Sequence, residues 1–334
     1  MQHLDPHQRP PDGIRNIYKK YQKMKLKELD QDQEIIDLSS DASAQSNSKV
    51  HVVKEWKGND LTASFRSFAG QDEDLQDLNV PESVSAYEHE HMPGLYIVPT
   101  LLPPEIQSIL LSRLLHRDLS NPAHLTNIHT HYTLSYPPPT TSFFSLAPDS
   151  PHPVAAPLDP SVHRPLTVAQ LLGKKMRWTT LGGQYDWTAK RYPDAVPPPF
   201  PLDIKNLLES IFTSTKAEAA IVNLYSPGDT LSVHRDVAET SSTGLISISL
   251  GCDAVFVIGT DDTALTLRLR SGSAVYMSGA SRFAWHGVPQ IVPGTCPEYL
   301  QQWPGIAHGH EGYEAWKGWM ASKRVNLNVR QMWD

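Results

Sequence analysis

The sequence predicts an α+β, mainly β protein whose core is a double-stranded β-helix, the jelly-roll or cupin-like arrangement of two facing sheets. The first observation is a series of short apolar strand patterns, separated by turn residues, in the last third of the chain. The second is that the helical patterns precede these strands and do not alternate with them, which argues against a parallel αβ repeat. The strand patterns cover residues 219–225, 230–234, 244–251, 254–259, 264–270, 273–279, 282–287 and 324–331.

Three helical patterns are predicted to flank this core on its N-terminal side. They cover residues 14–29, a stretch that begins at Pro103–Pro104, and residues 203–213. The first helix is basic, and its apolar residues recur at the spacing of one helical face. It is either a solvated helix that packs on the main domain or an arm that contacts phosphates. The apolar face of the first helix consists of Ile14, Ile17, Tyr18 and Tyr21.

Composition limits the class of protein. The chain has 334 residues, 40% of them hydrophobic, and a formal net charge of −7, so it lacks the overall basic charge of many nucleic-acid-binding proteins. Lys174, Lys175 and Arg177 nevertheless form a local basic patch. The only two cysteines, Cys252 and Cys296, are too few for a disulfide scaffold or a cysteine zinc site.

These features lead us to expect an intracellular monomer, in the nucleus or the cytoplasm, with the mitochondrion left open. No apolar run approaches the length that spans a bilayer, so we expect no membrane association. The chain is predicted to divide into a polar N-terminal extension, residues 1–90, and a main domain, residues 91–334. A proline-rich insertion at about residues 118–170 is predicted to be a functional or disordered loop.

The extension contains a short motif beside a serine-rich segment that is predicted to be disordered. Residues Ile35–Leu38, followed by serines and Asp41, are typical of the motif that binds the small ubiquitin-like modifier. That motif adds an extended strand to the edge of the partner's sheet. We therefore predict an exposed partner motif that catalysis does not need.

A metal half-site is predicted at His234 and Asp236, because residues two apart on a strand point to the same side. The third ligand could be His286, His308 or His310. His286 is favoured because it lies in a strand pattern, whereas the other two lie in a glycine-rich loop. Two imidazoles and one carboxylate form the facial triad of non-haem Fe(II) oxygenases, although zinc also accepts these ligands.

The last strand pattern, RVNLNVRQ, indicates which metal chemistry applies. Arg324, Asn326, Asn328 and Arg330 point to one side, and the apolar residues between them point to the other. Such a face would be unfavourable inside a core unless an anionic ligand were bound there. Arginine binds carboxylates in bidentate pairs, so the face predicts an extended dicarboxylate such as 2-oxoglutarate.

Four motifs together resemble the AlkB family of Fe(II)/2-oxoglutarate nucleic-acid demethylases. They are NLY (Asn223 and Tyr225), HRD, SRFAWHGVP and RVNLNVR. The resemblance covers roughly residues 90–334, and RWTTLGGQYDW and HRDVAETSSTGLISISLGCDAVFVIG are most similar to the AlkB homologue 1 subfamily.

The resemblance implies a role for each site residue. His234, Asp236 and His286 would bind Fe(II), and the cosubstrate 2-oxoglutarate would be held by Asn223, Tyr225, Arg324, Asn326 and Arg330. Arg324 would meet the distal carboxylate, and Arg330 the end nearer iron.

The resemblance also implies a substrate pocket. Trp178 would stack on an extruded base, with His234 as the opposite wall and Tyr185 and Trp187 as weaker candidates that could equally belong to the core. The bacterial member has an acidic base-reading residue two positions after the metal-binding aspartate. This chain has Ala238 there and Glu239 one position later, which puts the bacterial specificity in doubt; Glu239 is predicted as a substrate-binding residue.

The function implied is oxidative removal of N-methyl groups from adenine in tRNA or DNA, which consumes O2 and releases formaldehyde, succinate and CO2. An alternative is the same chemistry on a protein such as a histone. A catalytically idle binding module is a third hypothesis, which the intact set of metal ligands and arginines argues against.

Overall fold

The computed structural model describes residues 4–38, 49–71, 75, 78–187, 189–261, 263–305 and 312–333. The α-helices of this part of the chain are α1 (Asp12–Lys23), α2 (Leu26–Leu29), α3 (Gly58–Ala69), α4 (Pro104–Ser112), α5 (Val168–Gln170), α6 (Leu202–Ile211) and α7 (Glu298–Gln301). The strands of the N-terminal half are β1 (Ile35–Ile36), β2 (Val50–Lys57), β3 (Ser83–His89), β4 (Leu95–Val98), β5 (Tyr132–Leu134), β6 (Pro153–Pro157), β7 (Leu166–Thr167) and β8 (Trp178–Gly182). Those of the C-terminal half are β9 (Ala219–Tyr225), β10 (Leu231–His234), β11 (Leu245–Gly251), β12 (Asp253–Gly259), β13 (Ala264–Leu269), β14 (Ala274–Met277), β15 (Trp285–Val292) and β16 (Arg324–Arg330).

Two sheets form the predicted double-stranded β-helix. The smaller has the strand order β1-β13-β12-β15-β10 and the larger the order β2-β3-β4-β14-β11-β16-β9-β8. The predicted jelly-roll core is therefore confirmed. The strand predicted at residues 282–287 is wrong in its bounds, because a tight helical turn at Gly279–Ser281 delays the strand to Trp285, and it then continues to Val292.

Apolar residues of both sheets meet in the space between them. Phe256, Leu267 and Ile291 of the smaller sheet belong to the same buried cluster as Tyr225 and Leu245 of the larger sheet. The apolar surface removed from water here is the main favourable contribution to holding the two sheets face to face.

The back of the larger sheet is covered by helices α3, α4 and α6. Val325, Leu327 and Val329 of β16 belong to the buried cluster that contains Ile106 of α4 and Leu207 of α6. Since strand side chains alternate, the polar residues of β16 face the space between the sheets, as the sequence predicted.

Helix α1 covers the outer face of the smaller sheet. Ile14, Tyr18 and Tyr21 are buried against Val257 and Trp285 of that sheet. The helix is shorter than predicted, because the backbone at Met24 and Lys25 is extended before α2 begins. Of the two interpretations of this helix, a helix packed on the main domain is the one observed.

Residues Ile35–Leu38 are not an exposed motif, so this part of the sequence prediction is wrong. Strand β1 pairs in parallel with β13, with Ile35 opposite Thr266 and Ile36 opposite Leu267. Leu38 is buried, and Asp37 forms an ion pair with Arg270. The segment thus completes the protein's own sheet edge; Asp41 and the serine-rich stretch lie outside the described residues.

The sequence did not reveal the strands between residues 50 and 89. Strands β2 and β3 extend the larger sheet through β4, so the sheet is continuous across the predicted boundary at residue 90.

The proline-rich insertion is built around the small sheet β5-β6-β7, and Phe143 and Phe144 within it are fully buried. Within the described ranges, no helix has the length and apolar character needed to cross a bilayer.

Candidate active site

The strands β10 and β15 place two histidines directly opposite each other. His234 and His286 are register partners in this antiparallel pair, and their ring centroids are 4.4 Å apart. Asp236 lies two residues beyond the end of β10, so the prediction that it shares a strand face with His234 is wrong. It nevertheless reaches the same point: its Oδ1 is 3.6 Å from His234 Nε2, and its Oδ2 is 3.9 Å from His286 Nε2.

Both imidazoles are oriented by backbone carbonyls. His234 Nδ1 donates to the carbonyl of Ser232 at 2.9 Å, and His286 Nδ1 donates to the carbonyl of Ala284 at 3.0 Å. Because each Nδ1 carries the proton, each Nε2 lone pair points toward the carboxylate. Ligand atoms of the three residues all lie within 4.8 Å of one another, the arrangement of a preformed metal site.

The groups around Asp236 and His286 keep these two ligands in the protonation states that bind a cation. Burial opposes ionisation of Asp236, but Arg330 and the two histidines hold its pKa well below the ordinary value. Burial and the neighbouring His234 lower the pKa of His286 to about 4, so its imidazole is neutral at physiological pH. A neutral imidazole and an ionised carboxylate are the forms that bind metals. The alternative ligands His308 and His310 lie outside the described residues.

The polar face of β16 lies beside the triad, between the sheets. Arg324 is 1% exposed and donates through Nη2 to Ser249 Oγ at 3.0 Å. It stands opposite Tyr225 of β9, whose ring centroid is 5.2 Å from the guanidinium carbon. Asn326 stands opposite Asn223 and donates to Ser247 Oγ at 2.8 Å. The predicted cosubstrate residues therefore share one interior surface.

Several buried polar atoms on this surface have no hydrogen-bond partner among the described residues. They are Arg324 Nε and Nη1, Tyr225 Oη, Asn328 Oδ1, Arg330 Nε and Asp236 Oδ2. Leaving a buried donor or acceptor unsatisfied costs about 1–3 kcal/mol, more for charged groups. An anion with two carboxylates would accept from the arginines and the tyrosine, and a divalent cation would bind Asp236 Oδ2, so these residues fit 2-oxoglutarate and Fe(II).

Arg330 binds two acidic residues at the other end of β16. Its Nη2 is 3.3 Å from Asp236 Oδ2, and its Nη1 donates to Glu239 Oε1 at 3.0 Å. Glu239, predicted as a substrate residue, is buried, and its second oxygen accepts from Arg282 Nη2 at 3.2 Å. Tyr192 Oη also donates to Glu239, at 3.3 Å. Both carboxylate oxygens of Glu239 therefore accept hydrogen bonds from side chains of the protein itself.

Aromatic side chains border the site at β8. Trp178 is the register partner of Asn223, so it lies on the same face of the sheet as the cosubstrate residues. Its ring centroid is 5.4 Å from that of Trp187, which is 4.9 Å from that of Tyr185. Burial raises the pKa of Tyr185 to about 12. The three aromatic candidates therefore form one cluster, in which Trp187 is the most exposed.

Sequence reasoning missed some residues that the site uses. Ser247 and Ser249, which contact Asn326 and Arg324, alternate with apolar residues in LISISLG, and that alternation could have placed them inside. Arg282 and Tyr192 carry no such periodic signal, because their partner Glu239 lies in an irregular segment far away in the sequence.

Comparisons with known proteins agree with this geometry. The family model described as the 2OG-Fe(II) oxygenase superfamily matches residues 146–330, more than half of the chain. The "N6-methyladenosine RNA demethylase ALKB1" of Pyricularia oryzae is 44% identical, over 98% of this chain and 98% of that protein. The "tRNA demethylase abh1" of Schizosaccharomyces pombe is 40% identical, over 74% of this chain and 81% of that protein.

A human relative, the "Nucleic acid dioxygenase ALKBH1", is 32% identical, over 48% of this chain and 46% of that protein. The family match also confirms the predicted cofactors, Fe(II), 2-oxoglutarate and O2. The chain belongs to the 2OG-Fe(II) oxygenase superfamily and, within it, to the AlkB homologue 1 group that its sequence motifs indicated.

Proposed function

We propose that the protein is an oxidative demethylase that removes N-methyl groups from adenine in RNA. The observation that carries the proposal is the placement of Trp178 on the sheet face that also presents Asn223, Asn326 and Arg324, the face from which Arg330 contacts Asp236 of the triad. An aromatic ring beside a metal and a cosubstrate site is suited to hold a flat base while its methyl group is oxidised.

The relatives support RNA as the substrate. The relative that aligns with nearly the whole chain is called an RNA demethylase, and the fission-yeast relative is called a tRNA demethylase. The alternative protein substrate, such as a histone, has no such support. Methylated DNA has a similar base and remains an arm of the test below.

The reaction balances without any further reductant. Fe(II) and 2-oxoglutarate, when bound, supply the activation of O2 that oxidises a methyl C–H bond. One oxygen atom enters succinate as CO2 is lost, and the other enters the methyl group. The resulting hydroxymethyl amine loses formaldehyde and leaves adenine with an N–H.

The chain's own residues position the reactants. Arg324 pairs with the distal carboxylate of 2-oxoglutarate, in a buried setting where a charge-assisted bond is strong. His234, Asp236 and His286 would hold Fe(II), the ion at which 2-oxoglutarate and O2 would react. Trp178 restrains the base, and the interior between the sheets excludes bulk water.

A substrate panel tests the proposal. The wild-type chain is incubated with Fe(II), 2-oxoglutarate and one of three substrates: an RNA oligonucleotide that contains methyladenosine, its DNA counterpart, or a methylated histone peptide. Asp236→Ala is the inactive control. We expect formaldehyde and unmethylated adenosine from the RNA at the highest rate. Turnover with the peptide alone would reject the proposal, and faster turnover of the DNA would reject the preference for RNA.

Three expectations from the sequence stay predictions, and one of them is that the chain is a monomer. Binding of Ile35–Leu38 to the small ubiquitin-like modifier would require β1 to leave β13, which makes the contact less favourable than for an exposed motif. The compartment is proposed to be intracellular, on the sole basis that the chain's two cysteines are free.

A further inference from the structure

The metal ligand Asp236 lies in an irregular segment, residues 235–244, between β10 and β11. Backbone of this kind is not fixed by a helix or a sheet ladder. A metal ligand has to be held within about 0.5 Å of its productive position. Something outside the segment must therefore hold it in place.

One buried side chain contacts this segment at three points. Arg282 is 1% exposed; its Nε donates to the carbonyl of Thr243 at 2.8 Å, and its Nη1 donates to the carbonyl of Asp236 at 2.9 Å. Its Nη2 donates to Glu239 Oε2 at 3.2 Å. The planar guanidinium thus joins the two ends of the segment to its middle.

Arg282 also connects this segment to the rest of the site. It precedes β15 and is four residues before His286, so it links the segment of one metal ligand to the strand of another. Through Glu239 it is connected to Arg330, which in turn contacts the Asp236 carboxylate. The contacts form a closed ring of Arg282, Asp236, Arg330 and Glu239, in which two positive and two negative side chains balance.

We propose that Arg282 is a positioning residue for the metal centre: it fixes the backbone of Asp236 and, through Glu239, the guanidinium of Arg330. Its three hydrogen bonds all end on the segment that carries Asp236. This assigns Glu239 to the same ring, as the acid that orients Arg330, in place of the substrate-binding role predicted from the sequence.

The proposal predicts a specific loss of metal affinity. Outer contacts that orient metal ligands change metal affinity by roughly ten- to a hundredfold when they are removed. Arg282→Gln keeps a polar side chain but cannot reach all three acceptors, so its metal affinity should fall by about this factor. Arg282→Lys keeps the charge without the planar fork and should show an intermediate loss.

A matched control separates positioning from general stability. Arg268 of β13 is also largely buried and forms ion pairs with Asp253, at 2.8 Å, and with Asp30. It lies on the outer side of the smaller sheet, because Leu267 and Leu269 next to it face the interior. Arg268→Gln should lower the melting temperature and leave metal affinity unchanged.

The experiment is titration of the full chain with Mn(II), which needs no turnover, together with a melting curve for each variant. We expect weaker Mn(II) binding for Arg282→Gln and Arg282→Lys at a melting temperature comparable with that of Arg268→Gln. Wild-type Mn(II) affinity in Arg282→Gln would overturn the proposal. So would an equal loss of affinity in Arg268→Gln, because the effect would then follow from stability alone.

A second variant covers the case in which Arg282→Gln does not fold. Glu239→Gln keeps the side-chain shape but removes the charge that holds Arg282 and Arg330, and it should also weaken Mn(II) binding. Unchanged binding in a folded Glu239→Gln would overturn the ring. The inference rests on the metal site alone, so a wild-type chain that fails to bind Mn(II) would reject the metal assignment, and a different substrate preference would leave the inference intact.

Discussion

Arg324 and Tyr225 face each other across β16 and β9, with 5.2 Å between the guanidinium carbon and the ring centroid. The arginine is buried, and burial lowers its pKa, yet an arginine stays protonated at physiological pH. Its Nη2 donates to Ser249 Oγ at 3.0 Å, and the serine hydroxyl carries no charge. This side of the interior is therefore prepared for an anion.

The proposed pairing of Arg324 with the distal carboxylate of 2-oxoglutarate predicts the behaviour of Arg324→Lys. Lysine keeps the charge but loses the bidentate fork, and a lost charge-assisted hydrogen bond is worth about 1.5–3 kcal/mol. We expect the Michaelis constant for 2-oxoglutarate to rise roughly ten- to a hundredfold, with nucleic-acid affinity nearly unchanged. Cosubstrate titration and fluorescence anisotropy measure the two quantities on the same sample. An unchanged constant with weaker oligonucleotide binding would mean that Arg324 contacts phosphate.

The metal assignment predicts a difference between two histidines. His286→Ala removes a ligand that the register of β10 and β15 places opposite His234, so Fe(II)-dependent turnover should be abolished. His308→Ala should leave turnover near the wild-type rate. Succinate formation with added Fe(II) measures both variants. Activity in His286→Ala together with loss of activity in His308→Ala would mean that His308, and not His286, is the third metal ligand.

The pocket assignment predicts a substrate-specific effect for Trp178→Ala. Stacking of a base on an aromatic side chain is worth about 1–3 kcal/mol, so kcat/KM for methylated RNA should fall roughly five- to a hundredfold. The slow conversion of 2-oxoglutarate without RNA should not change, since Trp178 holds neither metal nor cosubstrate. Trp187→Ala gives the comparison for the outer part of the cluster. Equal losses with and without RNA would make Trp178 a structural residue.

Because the two faces of β16 serve different purposes, a substitution on its apolar face should lower stability and leave 2-oxoglutarate binding unchanged. Leu327 is fully buried on the helix-facing side, and Leu→Ala changes in cores cost about 2–5 kcal/mol. Leu327→Ala should lower the free energy of unfolding by that amount in a urea titration. The Michaelis constant for 2-oxoglutarate, measured on folded protein, should stay close to wild type. A large rise would show that the two faces are not independent.

Much of this site followed from the sequence because its signals are periodic. The alternation of polar and apolar residues in RVNLNVR distinguished the polar face of β16 from its apolar face. The preference for a ligand on a strand over one in a loop selected His286. Asp236 was found for a partly wrong reason, since β10 ends at His234 and the carboxylate reaches the metal position from the following segment.

The parts that escaped prediction depend on contacts between distant positions. Strand β2 lies at the edge of its sheet with much of its surface exposed, so it shows no clear alternation of apolar and polar residues. Residues 35–38 have the composition of a free interaction motif, and only the edge of β13 explains their place. Arg282 and Glu239 are 43 residues apart, and no local pattern relates them.

The central claim is that the metal triad and the 2-oxoglutarate residues of β16 together support the oxidative removal of a methyl group. The most direct measurement is the molar ratio of succinate, formaldehyde and demethylated adenosine released from one methylated RNA, with Asp236→Ala as control. After subtraction of the succinate that forms slowly without RNA, we predict equal amounts of the three products in the wild type and none in the variant. Succinate without formaldehyde or demethylated adenosine, or products that persist in Asp236→Ala, would contradict the account.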